Sequence, residues 1–342
     1  MLCAMPAVLV VGDVCVDVLA RAGGAVRAGT DTPAQVRVLG GGAGGNLAAW
    51  LATLGVRVTL VARIGDDAAG RAQAAELSAY GVRCSFAVDA VAPTGTVVVL
   101  VAEDGERTML TDRGANLRLS VADLPELTGA RRPAAEPAAR PAAAAEPAAA
   151  GPAAADLAAA RSAAAGPAAA GPAADHLHLS GYTLLHEGPR AAGLAALARA
   201  SAAGMTISVD PASVAPLAEL GPETFLGWTR GADLLLPNLP EARLLSGRSD
   251  ATAAATALAQ DFGAVAVTMG ADGVLWAAGN EVAHVPAPEA RAVDSTGAGD
   301  AFDAGLLAAW LSGERGAAAA RQGVHAATAA VTRLGARPPL PP

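Results

Sequence analysis

Short apolar runs alternate with stretches of helical pattern along most of this chain, and turn-forming residues close nearly every run. Val8-Leu9-Val10-Val11 reads as a buried first strand that breaks at Gly12-Asp13 and resumes over 14–19. Residues 35–39 alternate like a half-exposed strand and run into Gly40-Gly41-Gly42-Ala43-Gly44-Gly45-Asn46. A helix is predicted over 47–54, stopped by Gly55, then a strand over 56–62 and a helix over 71–80 ended by Gly81. Two β-rich runs, 94–102 and 107–111, flank Glu103-Asp104-Gly105-Glu106, a hairpin signal. They are more polar and less continuous than core strands, which places them outside the main sheet. Beyond residue 174 the alternation resumes with a strand at 176–179, a helix at 189–203 and a strand at 206–209 ending in Asp210-Pro211. A strand at 234–236, a helix opened by Pro237-Asn238-Leu239-Pro240-Glu241 and a strand at 264–268 follow. The pattern implies an α/β fold, a mostly parallel central sheet with helices on both faces.

The stretch 131–174 departs from this pattern. Alanine runs are broken there by Pro133, Pro137, Pro141, Pro147, Pro152, Pro167 and Pro172. Proline that frequent interrupts helices, and alanine buries too little surface to order a chain. The expectation is a solvent-exposed, mostly disordered insertion with one short helix near 153–165, carrying no chemistry.

Composition narrows the classes. The 342 residues are 53% hydrophobic with a net charge of −8, which disfavours a nucleic-acid partner. Three cysteines, Cys3, Cys15 and Cys84, form neither a disulfide framework nor a metal cluster, which fits a reducing cytoplasm. No export signal and no membrane-spanning run is recognised. All 24 basic residues counted as Lys or Arg are arginine. A Walker-A lysine, a protein-kinase lysine and Schiff-base chemistry are therefore excluded, and nucleotide chemistry would rely on backbone amides, arginine and metal.

Candidate chemistry concentrates in Asp294-Ser295-Thr296-Gly297-Ala298-Gly299-Asp300, a small-residue turn opening an apolar helix. Free N–H groups at a helix start attract anions, and Asp300 sits beside them. Backbone donors with an adjacent carboxylate are what phosphoryl transfer to an alcohol requires, although an Asp-capped helix after a glycine turn is common in α/β proteins. Asp17 interrupts an apolar run and is read as binding hydroxyls; Asp13 is left open. Gly40-x-Gly42-x-x-Gly45, with Asp66 and Asp67 about 20 residues on and Arg63 beside them, also matches a dinucleotide fingerprint. His176 and His178 are read as ordinary strand histidines rather than metal ligands. Asp17, Asn238, Glu241, Thr268, Gly270 and Asp300 all follow apolar strands, where ligands of parallel sheets gather.

Together these motifs resemble the ribokinase-like (PfkB) family of sugar and nucleoside kinases. Residues 294–302 are similar to its C-terminal signature, 41–46 to its N-terminal one, and Asn238-x-x-Glu241 and Thr268-Met269-Gly270-x-x-Gly273 stand at the expected places. Residues 330–336 resemble ribokinases in particular. The resemblance implies a single ribokinase-like domain over 1–342 with a small β-sheet lid from strands near 14–20, 35–39 and 94–112. It implies that Asp300 is the catalytic base and that Gly297, Ala298 and Gly299 form the anion hole. Asp17, Gly42 and Asn46 would bind the sugar. Asn238, Glu241, Thr268, Gly270 and Gly273 would bind the nucleotide, with Glu241 holding Mg2+ through water. Asp294 is the candidate for a monovalent cation, K+. The dehydrogenase alternative leaves the later motifs idle.

Departures bear on the substrate. Ala43 stands where ribose-specific members usually have Lys, Cys15 where they have Asn, Ser180 where a carboxylate is common, and Pro339 where Ser is common. Ribose is therefore not favoured, and Arg113 would suit a sugar acid if it paired with a carboxylate. The expected activity is an ATP-dependent kinase acting on a hydroxyl of a small sugar or sugar derivative, cytoplasmic, without nucleic-acid or membrane partners, and a candidate homodimer. The alternatives are a nucleoside kinase, disfavoured by the 3% aromatic content, and a non-catalytic sugar- or nucleotide-sensing relative.

Overall fold

A computed structural model describes residues 6–101, 107–129 and 173–340. The expected helix near 153–165 and the turn at 103–106 lie outside the described residues. At the end of the low-complexity stretch, strand β9 (Ala173–Ala174) pairs in parallel with β8 (Thr128–Gly129).

Among the described residues nine strands form the main sheet: β1 (Ala7–Val11), β4 (Arg57–Gly65), β5 (Arg83–Asp89), β10 (His176–Ser180), β11 (Thr206–Asp210), β12 (Leu234–Leu235), β13 (Ala264–Thr268), β14 (Val274–Ala278) and β15 (Glu281–Val285). Their order is β15-β14-β13-β12-β11-β10-β1-β4-β5, parallel except for the antiparallel β14 and β15 at one edge. Strand β1 shows why its apolar run is continuous. Leu9 and Val11 point into one helix-covered core with Leu177, Leu179 and Phe225, while Val8 and Val10 point into the other with Leu47, Trp50, Leu60 and Phe302. A strand buried on both faces needs no alternation.

A second sheet has the order β3-β2-β6-β7, from β3 (Ala34–Gly41), β2 (Cys15–Ala22), β6 (Gly95–Val101) and β7 (Arg107–Asp112). Gly12 and Asp13 carry the chain from the main sheet into this one. Asn116 pins that crossing, accepting from Val14 N–H at 3.0 Å and donating to Val14 O at 2.9 Å. The reading of 14–19 as a resumed strand holds, but Asp17 lies within this second sheet and not beyond the end of a main-sheet strand.

The helix expected at 47–54 starts earlier, as Ala43–Thr53, with Gly44 and Gly45 in its first turn. Glycine is a poor helix former, but a Cβ on Gly44 would lie 2.9 Å from Gly12 Cα, so close packing outweighs propensity. The dinucleotide reading finds no support in the details. Asp67 caps the helix Ala68–Ala79 and binds Thr94, and Arg63 pairs with Asp89 and Asp123.

The strand histidines are core residues. His176 contacts Thr206 Oγ1 and Ser208 Oγ at 2.8 Å, and His178 contacts Ser208 Oγ at 2.9 Å. Burial lowers both to about 3, so both are neutral when folded. A depressed histidine contributes stability that is complete above its unfolded pKa and lost as pH falls from about 6.5 toward 3. Between pH 7 and pH 5 each therefore costs about 2 kcal/mol. The carboxylates titrate in the same range, so the comparison that isolates this effect is between parent and His178→Gln. Urea unfolding is expected to show the variant losing about 2 kcal/mol less over that interval; identical pH dependence contradicts the assignment.

Candidate active site

The turn before helix Ala298–Leu311 is shaped by its glycine. Gly297 has φ 72° and caps the helix, and a Cβ there would lie 2.8 Å from Ala336 Cα. The first intrahelical bond runs from Ala301 N–H to Gly297 O, so the N–H groups before it make no intrahelical bond, and Gly297, Ala298 and Gly299 line the cavity. Ala298 N–H donates to Ser295 O at 3.3 Å within the turn. Asp294 holds the turn from behind: Oδ1 accepts from Thr296 N–H and Oγ, and Oδ2 from Gly335 N–H at 3.0 Å. These bonds give Asp294 a structural role whether or not K+ binds beside it.

Asp300 lies in the first turn of that helix and accepts a 2.8 Å hydrogen bond from Asn46 Nδ2. Burial pushes its carboxyl well above the ordinary range, the Asn46 bond opposes this, and Asp210, Asp13 and Asp17 raise it further. Asn46 is buried, and its Oδ1 has no hydrogen-bond partner. A buried acceptor left free beside the carboxylate is suited to a hydroxyl of a bound molecule. Gly42 has φ 85°, and a Cβ there would meet Asp13 O at 2.7 Å and Cys15 N at 2.8 Å, so its first role is to let two backbone segments cross. Asp17 is buried, which raises its carboxyl to about 6, against the lowering effect of Arg337.

Two cavities meet at the turn. The smaller, about 260 Å³, is lined by Asp13, Asp17, Asn46, Asp300 and Asp303, with Val97 and Met109 from the second sheet opposite. The larger, about 850 Å³, is mostly apolar, and Thr268, Gly270 and Gly273 lie on its wall with Phe302 and Val324. Thr268, Ser295, Ala298 and Gly299 border both. The helix-start backbone at Ala298 and Gly299 thus stands between a small acidic chamber and a larger apolar one.

Asn238 and Glu241 cap their own helix, Leu239–Ser246. Asn238 Oδ1 accepts from Glu241 N–H, and Glu241 Oε2 accepts from Asn238 N–H, both at 2.9 Å. The spacing read as nucleotide chemistry is therefore a capping box as well. Asn238 bridges to Thr268 alongside, which brings the two motifs together at the strand ends. Glu241 and Asp210 are both raised, first by burial and, for Glu241, next by Asp210. Such an excess of buried acid fits a divalent cation. Among the described residues no three His, Cys, Asp or Glu converge on one metal position, so the fit is to an ion carried with phosphates and water.

Sequence reasoning missed Asp210, Asp303, Tyr182 and Arg337. Asp303 is buried and raised well above the carboxylate range by burial, Asp210, Asp300 and Glu241. Its signal was available: it follows Asp300 by three residues, on one helix face. Arg113 already pairs with a carboxylate of this chain. It donates to Asp13 Oδ2 at 2.8 Å and lies 3.6 Å from the centre of the Tyr182 ring.

A model of the pfkB family carbohydrate kinases matches residues 5–138 and 147–342. A fructokinase from Klebsiella pneumoniae is 30% identical over 307 residues, covering 87% of this chain and 82% of its own length. An uncharacterized sugar kinase from Archaeoglobus fulgidus is 26% identical, covering 85% and 98%. The crystal structure of adenosine kinase from Sinorhizobium meliloti superposes with a TM-score of 0.76 at 25% identity, covering 98% and 96%. The fold is the ribokinase-like α/β fold, with its large mostly parallel sheet and a smaller separate sheet. The chain belongs to the PfkB family of carbohydrate kinases. It is accordingly a phosphotransferase with an alcohol acceptor.

The Asp13–Arg113 pair yields a prediction independent of substrate. The two side chains are only 5% and 12% exposed, so Arg113→Ala strands a buried carboxylate. A loss of about 3–5 kcal/mol in urea unfolding is expected; a loss within 0.5 kcal/mol, the ordinary range of a surface substitution, contradicts the pairing.

Proposed function

We propose that this protein is an ATP-dependent kinase that transfers the γ-phosphoryl group to a hydroxymethyl group of a small sugar or sugar derivative. The observation that carries this reading is Asp300, hydrogen-bonded to Asn46 at 2.8 Å in the acidic cavity and next in sequence to Gly299, which borders both cavities. In this reading the nucleobase occupies the larger cavity, past Thr268, Gly270 and Gly273. Asp17 and Asn46 grip sugar hydroxyls, and Gly42 shapes the turn between them. Asp300 takes the proton from the attacking hydroxyl, a role its raised affinity for protons suits. The N–H groups at Gly297, Ala298 and Gly299 receive the charge on the moving phosphoryl group. Glu241, through water, and Asn238 would hold Mg2+ with the phosphates, and the ion would supply charge neutralisation. The second sheet closes the sugar chamber as a lid and excludes water that would otherwise accept the phosphoryl group.

The small cavity favours a sugar over a nucleoside. Its volume is about 260 Å³, and the face of its aromatic residue, Tyr182, is covered by Arg113 rather than open to a base. Asp300→Asn is expected to leave nucleotide binding intact by calorimetry and to lower kcat by about a hundredfold or more. Near-normal turnover would remove the mechanism.

The proposed homodimer rests on the second sheet's outward side, where Val36, Val38 and Leu110 are 59%, 67% and 57% exposed. Light scattering should return twice the chain mass at micromolar concentration; a monomer mass sinks this part of the reading.

A further inference from the structure

The C-terminal tail delivers an arginine beneath the glycine-rich turn. The Arg337 side chain is 4% exposed, and its Nη2 donates to Gly41 O at 3.0 Å. Nη1 lies 3.2 Å from Glu76 Oε1 without hydrogen-bond geometry, and Nε has no hydrogen-bond partner. A guanidinium so deeply buried and so sparsely bonded is costly, and stability alone does not account for its place.

The tail around it is firmly tied. Trp50 Nε1 donates to Ala336 O at 2.9 Å and the Tyr80 hydroxyl to Pro338 O at 2.5 Å. On the other side, Gly335 N–H binds Asp294 and Ala336 packs against Gly297. The same few residues therefore touch the turn before Asp300 and the turn before Asn46.

What the guanidinium does there is visible in the glycines. A Cβ on Gly40 would overlap it, and a Cβ on Gly45 would come within 2.8 Å of Nη2. Two glycines that read from the sequence as room for a ligand are room for this chain's own arginine. Gly41, between them, lies against the Asp17 carboxylate, which a Cβ would overlap. Arg337 also favours the ionised form of Asp17, as Arg113 does, while burial, Asp13 and Asp294 oppose it.

We propose that Arg337 is a positioning residue for the acceptor site: it fills the space beneath Gly40 and Gly45, holds the Gly41 carbonyl, and thereby sets Asp17 and Asn46 for the sugar hydroxyls. This rests on the sugar-kinase reading. Arg337 touches no reacting atom; it acts through the turn.

A double-mutant cycle of Gly40→Ala and Arg337→Ala tests it, read first by urea unfolding. Gly40→Ala destabilises the parent because the added methyl displaces the guanidinium, and it costs little in the Arg337→Ala background, where the space is empty. Additive losses overturn the packing claim whatever the protein phosphorylates. Should Arg337→Ala fail to fold, Arg337→Met keeps the stem and carries the cycle. The second readout is steady-state kinetics on a sugar that the parent phosphorylates. Arg337→Ala is expected to raise KM for the sugar about tenfold, with kcat and KM for ATP changed by less than about twofold, and Arg337→Lys to recover part of the loss. An unchanged sugar KM, or equal rises in both KM values, overturns the positioning role. If the parent phosphorylates no sugar, the sugar-kinase reading and the positioning role fall together, while the unfolding cycle still decides the Arg337–Gly40 contact.

Discussion

Six carboxylates, those of Asp13, Asp17, Asp210, Glu241, Asp300 and Asp303, line one cavity of about 260 Å³, and the site depends on how their charge is contained. Taking carboxylates out of water is unfavourable unless each finds a partner or a proton. Asp13 finds Arg113, Asp300 finds Asn46, and Asp17 lies near Arg337. Glu241 spends its oxygen on a helix cap, and its carboxyl, like those of Asp210 and Asp303, is raised. The result is a chamber rich in groups that accept hydrogen bonds from hydroxyls, with no lysine anywhere in the chain to neutralise it.

Two sheets make this containment possible. The main sheet offers the carboxyl ends of parallel strands, where polar residues can follow apolar runs without breaking the core. The second sheet puts Val97, Val99 and Met109 across the opening. The chain passes between the sheets at Gly12 and Asp13, so the same crossing that builds the fold sets Asp13 and Asp17 on the cavity wall. The C-terminal tail then closes the arrangement from behind, at Gly297 and at Gly40.

The central strands were legible in the sequence because they are buried on both faces: Val8–Val11 and 264–268 read as unbroken apolar runs. Strands β5 and β15 were not, since they are the sheet's edge strands, where side chains are mixed and the run is broken; β14, between β15 and β13, is a short buried apolar run that was passed over. Asp300 was legible because a glycine turn and an apolar helix flank it. Asp210 was not, for a carboxylate at a strand end usually faces water; Asp303 carried one signal, its three-residue spacing from Asp300 on the same helix, and only the fold shows that it is turned inward. Arg337 sits in a tail rich in proline with no periodicity, so nothing local marks it. The capping box at Asn238 and Glu241 shows the converse. A motif read as chemistry also has a complete structural account, and the proposal that it binds phosphates rests on the cavity it borders.

In the proposed function the acidic chamber receives a sugar hydroxyl and the apolar one a nucleotide. The most direct measurement is a steady-state screen of neutral sugars, sugar acids and nucleosides with Mg-ATP, following ADP release and the phosphorylated product. Turnover is expected on a small sugar with a free hydroxymethyl group, and little on nucleosides. Nucleoside phosphorylation would contradict the assignment of the small chamber, and binding of sugar or ATP without any turnover would contradict the kinase mechanism at Asp300.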